Sequence, residues 1–182
     1  MKQTYKQCLT DSMSRLVLEN NYFVIGQGVV DGGHGMSSTI PVELHDRCLE
    51  LPVFEESQTG IALGMALVGE NIISIYPRFD FFISGLSQLI NHSDKVSVMS
   101  GGLFSPNIIF RVGVGAKVPL DAGPQHTNNY TSELRSMLTN VCVHEIPVGA
   151  NPNSTYREIE KSGGLHLVVE HMQCYGDMVE DS

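Results

Sequence analysis

Apolar and polar positions along this chain alternate between two periods. Residues 5–19 carry Cys8, Leu9, Met13, Leu16 and Val17 at helical spacing, and the next apolar stretch, Tyr22-Phe23-Val24-Ile25-Gly26, is short and continuous as in a buried strand. Residues 26–38 hold five glycines and few large apolar side chains, which predicts a loop. Leu51–Phe54 reads as a second strand, followed by a helix from Glu55 to about Gly69. The β-branched run Asn71–Tyr76 predicts a strand closed by Pro77, and 79–98 reads as one long helix with Asp80 near its start. Further strands are predicted at Asn107–Val112, Val141–Ile146 and Leu165–Glu170, with helices at about 128–139 and 153–162.

Strands without polar alternation, separated by helices, predict a three-layer α/β fold: an open, mostly parallel sheet with helices on both faces. Functional groups in such sheets gather beyond the carboxyl ends of the strands. That rule selects the loops 26–38, 54–57, 76–82, 113–127 and 147–153. The 182 residues fit one domain, long enough to bury about 70% of the unfolded surface. Neither a repeat nor an interdomain linker interrupts it, and the acidic tail after Tyr175 is expected to fray.

Composition narrows the partners. A formal charge of −9, with no stripe or block of Lys and Arg, argues against nucleic acid and anionic membranes. Cys8, Cys48, Cys142 and Cys174 are widely spaced and form no C-x-x-C pair, which favours reduced thiols over a zinc site. No apolar run approaches the ~20 residues of a membrane span and no signal peptide is evident, so the expected location is the cytoplasm.

The segment Phe54-Glu55-Glu56-Ser57-Gln58-Thr59-Gly60-Ile61-Ala62-Leu63-Gly64-Met65-Ala66 is the most informative. An acidic pair opens a helix whose Gly60, Ala62, Gly64 and Ala66 let backbone approach backbone. Carboxylates at a helix start are also simply favoured by the helix dipole, so the pair alone does not specify chemistry.

Four segments in register carry a resemblance. Leu51–Gly64 resembles the stretch of pyruvate dehydrogenase E1 β subunits that places a glutamate before a G-I-A-x-G helix. Tyr76-Pro77-Arg78-Phe79-Asp80-Phe81 with Gln88–His92 is similar to their aromatic segment and following helix. Met99-Ser100-Gly101-Gly102 with Ile108–Arg111, and Gly123-Pro124-Gln125-His126-Thr127, are similar to two further runs. Order and spacing match over roughly residues 5–172.

This resemblance implies the pyrimidine-binding domain of a thiamine diphosphate enzyme, of E1 β or transketolase-like type. The family glutamate falls on Glu55, not Glu56. In that role a carboxylic acid bonded to the pyrimidine N1′ favours the imino tautomer, which takes the proton from the thiazolium C2; burial would raise the acid's pKa. Phe81 matches the ring that stacks on the aminopyrimidine, with Phe79, Phe82 and Tyr76 near enough to share or take that role. Pro77 stands where many E1 β subunits have a methionine beside the cofactor. His126 matches a histidine that faces the substrate, where it can steady oxyanion charge.

The departures are informative too. The family holds Mg²⁺ and the diphosphate with a Gly-Asp-Gly motif and a downstream asparagine; Asp31-Gly32-Gly33 lacks the leading glycine and no asparagine follows at 55–62. The chain also stops where the second domain of an E1 β subunit would begin. The resemblance therefore implies a split enzyme. Its partner would be a separate E1 α-like subunit holding the diphosphate and Mg²⁺, in an α₂β₂-like heterotetramer, and the substrate a small 2-oxoacid or ketose. The alternatives are the small subunit of a sulfopyruvate- or phosphonopyruvate-type decarboxylase, and a non-catalytic interaction module that kept the fold.

Overall fold

A computed structural model describes residues 2–32, 35–118 and 121–180. In chain order the elements are β1 (Gln3–Thr4), α1 (Tyr5–Asn20), β2 (Tyr22–Gly26), β3 (Cys48–Glu50), α2 (Glu55–Leu67), β4 (Asn71–Tyr76), α3 (Phe79–Phe82), α4 (Val96–Met99), β5 (Asn107–Val114), α5 (Thr131–Met137), β6 (Cys142–Glu145), α6 (Pro152–Ser162), β7 (Leu165–His171) and β8 (Met178–Val179). Among the described residues no helix is long and apolar enough to cross a membrane.

Six strands form one sheet in the order β3-β2-β4-β5-β7-β6, and every neighbouring pair is parallel. Successive residues of the central strands feed opposite cores. Val24, Ile73, Ile109 and Val168 face α1 and α6, while Ile25, Ile72, Ile108 and Leu167 face α2, α3 and α5. Both faces are covered, which is why these strands read as continuous apolar runs. The predicted three-layer architecture is therefore the one observed.

Local signals set the helix ends. Thr4 and Gln7 form a capping box at the start of α1, and Asn21, at φ 58°, ends it in the left-handed region. Asn151 caps α6, whose first residue is Pro152.

Four predicted boundaries move, each for a visible reason. The strand expected at 51–54 lies instead at Cys48–Glu50; Leu51 N donates to Gly26 O, after which Pro52 has no N–H to continue the ladder. The long helix expected over 79–98 is divided into α3, a 3₁₀ turn at Ile83–Gly85, a π-turn at Gln88–Ser93, and α4. Asp94 ends the π-turn because its buried carboxylate accepts from the amides of Thr139, Asn140 and Val141, ahead of β6. The helix expected from 128 begins at Thr131, whose N–H and hydroxyl are both taken by Asn129 Oδ1. The tail is paired rather than frayed as far as β8, which runs antiparallel to β1 and buries Val179.

Nor is the glycine-rich loop after β2 open throughout. Val29 and Met36 are buried in the α1 core, and Glu50 accepts from Gly28 N and Val30 N. Gly33, the end of the Asp31–Gly33 run, lies outside the described residues.

Candidate functional site

A cleft opens beyond the carboxyl ends of β2, β4, β5 and β7, where the parallel-sheet rule places it. The strand order reverses here, since the chain leaves β2 for β3 on one side and returns to β4 on the other. One lobe, of about 360 Å³, is lined by Gln27, Gly28, Gly35, Ser37, Pro77, Arg78, Phe81, His126 and Met172. A second, of about 510 Å³, is lined by Val53, Glu55, Asp80, Phe81, Ile83 and Ser84. Phe81 belongs to both and is 39% exposed, so its ring forms the partition between them.

Glu55 is the first residue of α2, half-buried at the floor of the second lobe. Its Oε2 has one long contact, 3.4 Å from Ser84 Oγ, whose proton is better directed at Phe81 O at 2.9 Å. The helix that carries it is pinned to β4. Gln58 Nε2 donates to Ser74 Oγ and Ile75 O, and Thr59 Oγ1 meets both Glu55 O and Tyr76 OH. Glu56 is exposed.

The close backbone approach expected of α2 occurs, but at a glycine on the facing segment. A Cβ on Gly85 would lie 2.5 Å from Thr59 Oγ1 and 3.1 Å from Glu55 O, so only glycine lets the 3₁₀ turn rest on the first turn of α2. Gly64, by contrast, has open space around it.

His126 stands over the partition, its ring edge-on to Phe81 with centroids 5.2 Å apart. The His126 loop is tied down twice. Asp80, in the first turn of α3, accepts from Asn128 N, Asn128 Nδ2 and Tyr130 OH. Gly115, just past β5, admits the loop backbone, since a Cβ there would fall 2.1 Å from His126 O.

Under the first lobe lies a polar cluster in the core. Arg111 of β5 donates from Nε and Nη2 to the two carboxylate oxygens of Glu170 on β7, at 2.7 and 2.9 Å. Tyr156 and Tyr175 donate to the same carboxylate, and Arg111 Nη1 reaches Thr39 Oγ1 at the end of the glycine loop. Burial, first, together with the Glu170 charge holds both tyrosine hydroxyls well above their ordinary pKa, although Arg111 opposes the shift. Met172, two residues beyond Glu170, lines the cleft, so this network anchors its floor.

Of the seven residues singled out in the sequence, Glu55, Phe81, Pro77 and His126 meet at the cleft. Tyr76, Phe79 and Phe82 do not. They are at most 1% exposed, packed against one another, Phe110 and Tyr130, and offer no ring face to a ligand. Burial pushes the Tyr76 hydroxyl upward, against its hydrogen bonds with Ser74 and Thr59. The Met99–Gly102 run makes a turn before β5, at the opposite end of the strands, with Gly101 and Gly102 at φ 61° and 84°. His92 lines an apolar groove with Leu63, Leu67 and Val96 away from the cleft. Arg78, which was not singled out from the sequence because a lone arginine beside the aromatic motif carries no periodic signal, also lines the first lobe.

No family model matches the chain. Pyruvate dehydrogenase E1 component subunit beta of Rickettsia conorii is 29% identical over 136 residues, 72% of this chain and 41% of that protein. The mitochondrial subunit of Bos taurus is also 29% identical over 136 residues, 72% of this chain and 37% of its own length. That of Saccharomyces cerevisiae is 28% identical over 132 residues, 70% of this chain and 36% of its own. The chain thus spans about two fifths of the length of these relatives. A split-gene transketolase, solved as an inactive β4 tetramer, superposes with a TM-score of 0.66 at 15% identity, covering 94% of this chain and 51% of that one. Over most of its length the chain is thus similar in sequence to pyruvate dehydrogenase E1 β subunits, and its fold is that of the split-gene transketolase.

Proposed function

We propose that this chain is the pyrimidine-binding subunit of a split thiamine diphosphate enzyme acting on a small 2-oxoacid or ketose, completed by a separate subunit that holds the diphosphate and Mg²⁺. One observation carries the reading: Glu55 and the exposed ring of Phe81 line one lobe of about 510 Å³, whose apolar rim is uncovered. Val53, Phe54 and Ile83 around it are 61%, 45% and 42% exposed, a concentration of apolar surface that suits an interface at the site.

The donor set fits the cofactor's pyrimidine. A carboxyl group to share a proton with a ring nitrogen and an aromatic face to stack on are both present, on elements fixed to the sheet. When bound, thiamine diphosphate supplies the nucleophilic carbon and the electron sink for cleavage beside a carbonyl. Glu55 holds a proton at its carboxyl oxygen against the ring, Phe81 orients the ring, and the partner's cover excludes water from the lobe. His126, across the partition, donates to the developing oxyanion of the substrate.

The test is reconstitution. The chain mixed with a subunit bearing the Gly-Asp-Gly motif should decarboxylate or transfer from a 2-oxoacid or ketose. Glu55→Gln should lower kcat by at least a hundredfold with the complex intact by light scattering. Full activity in Glu55→Gln would remove Glu55 from cofactor activation, and an intact complex that turns over no such substrate would favour the interaction-module reading.

A further inference from the structure

The two lobes differ in charge. Glu55 and Asp80 lie on one side of Phe81, whereas Arg78 and His126 lie on the other. We infer that Arg78 is the anion-binding residue of this cleft, taking a carboxylate or phosphate group of a small-molecule substrate between its guanidinium and His126.

Arg78 follows β4 directly. Its Nη1 donates to Pro77 O at 2.8 Å and contacts Met172 Sδ at 2.9 Å, which holds the head group in place. Its Nε is buried and has no hydrogen-bond partner among the described residues, and neither does Nδ1 of His126 in the same lobe. Two orphaned polar atoms in one small cavity are unusual, since buried donors are nearly always paired. A half-buried guanidinium with no counter-ion costs free energy, and an anion at the fork removes that cost.

No carboxylate among the described residues serves. Among the described residues Arg78 makes no ion pair, although the sequence holds 20 acidic residues against 11 Lys and Arg. Asp80 is occupied by Asn128 and Tyr130, and Glu50 by Gly28 and Val30. Glu55 lines the other lobe. Of the rest of the polar wall, Ser37 Oγ donates to Gln27 O and Gly28 N to Glu50, while the Gln27 side chain is exposed at the rim. Arg78 and His126 are therefore the buried donors open to an incoming molecule among the described residues of this lobe. Arginine's planar fork matches carboxylate and phosphate oxygens alike, and a lobe of about 360 Å³ admits a small metabolite. Gly115 holds the pair open, because a Cβ there would press on His126 O at 2.1 Å and reach within 3.5 Å of Arg78 Nε.

That the anion belongs to a substrate rests on the proposed function; the anion site itself does not, and the experiment separates them. The ¹⁵N-labelled chain is titrated separately with inorganic phosphate and with pyruvate at constant ionic strength, following the Arg78 Nε–H signal and the His126 ring. Saturable shifts centred on both groups are expected, and the arm that saturates at lower concentration identifies phosphate or carboxylate as the preferred group. Arg78→Gln should weaken that binding at least tenfold (about 1.4 kcal/mol) while the remaining spectrum stays that of the folded chain. Equal affinity in Arg78→Gln, or no saturable shift with either anion, overturns the site. Perturbation of Arg78 only on addition of a second protein also overturns it, assigning Arg78 to a partner's carboxylate. A parallel titration with thiamine diphosphate in the wild type and Glu55→Gln tests the cofactor reading, and its failure leaves the anion result standing.

Discussion

Replacing Glu170 by glutamine should unfold a large part of the stability margin of this domain, and the reason is geometric. The carboxylate accepts four hydrogen bonds, two per oxygen: Arg111 Nε and Tyr156 on Oε1, Arg111 Nη2 and Tyr175 on Oε2. Glutamine has one oxygen and one NH₂ group. Whichever way the amide turns, its nitrogen faces one N–H of Arg111 and one tyrosine hydroxyl. The hydroxyl can rotate to accept; the guanidinium cannot. At least one charge-assisted bond, worth about 1.5–3 kcal/mol, is lost. The Arg111 charge is also left at 0% exposure without its counter-ion, which brings the total to about 3–5 kcal/mol.

With a urea m-value of about 2–3 kcal/mol/M for a chain of this length, the midpoint should fall by about 1–2 M. Equilibrium unfolding followed by tyrosine fluorescence and circular dichroism measures it. Arg111→Met should be comparably destabilised, because it leaves the Glu170 charge buried. Arg111→Met/Glu170→Gln should lose about 2 kcal/mol less than the sum of the singles. Additive singles, or a Glu170→Gln variant within about 1 kcal/mol of wild type, would refute the view that this pair is a coupled, fully desolvated unit.

Gly85→Ala should cost about 1–3 kcal/mol in thermal unfolding and shift the amide resonances of Glu55 and Thr59, since its Cβ collides with Thr59 Oγ1; unchanged resonances there would sink the packing argument. Gly115→Ala should destabilise the chain similarly and displace the His126 signals, which a histidine-selective NMR spectrum reads out. Asp94→Ala should cost about 2–3 kcal/mol, because three amides at 139–141 lose their acceptor; a loss under about 0.5 kcal/mol by urea melt would contradict it. His144 and His166, whose rings meet at 2.9 Å, both have pKa values lowered chiefly by burial, so the folded state resists the protons that the unfolded chain takes up. Stability should therefore be full above about pH 6.5 and fall as the pH drops below it. His144→Gln should flatten that dependence in melts between pH 7.5 and 5, and an unchanged slope would rule the pair out as its source.

The sheet was legible in the sequence because its strands are buried on both faces, so each of β2, β4, β5 and β7 shows as an apolar run with a glycine, proline or polar break at its end. The helical stretch 79–99 was not, because its apolar content says nothing of hydrogen-bond register. What divides it is tertiary: Gly85 seated on Thr59, and Asp94 drawn to the amides before β6. Glu55, Phe81 and His126 could be named from aligned motifs, yet Tyr76 and Phe79 lie in the same motif and point into the core. A string of aromatics cannot show which ring faces out. The answer here depends on α3 being only one turn long, which leaves Phe79 and Phe82 inward and Phe81 outward.

Under the proposed reading, that single turn also arranges the chemistry. Phe79, Asp80, Phe81 and Phe82, four consecutive residues, take three directions: core, the His126 loop, cleft and core again. Asp80 thereby fixes the loop that carries His126, while Phe81 separates an acidic lobe from a basic one. A ring stacked on Phe81 beside Glu55 and an anion held by Arg78 would then approach from opposite sides of one aromatic wall, each drawn to charge of the appropriate sign. Glu55 and Arg78 are held apart by Phe81, so neither neutralises the other as a surface ion pair. The absence of that pairing leaves the carboxyl group free for a proton and the guanidinium free for an anion, which is the division of labour the two binding experiments measure separately.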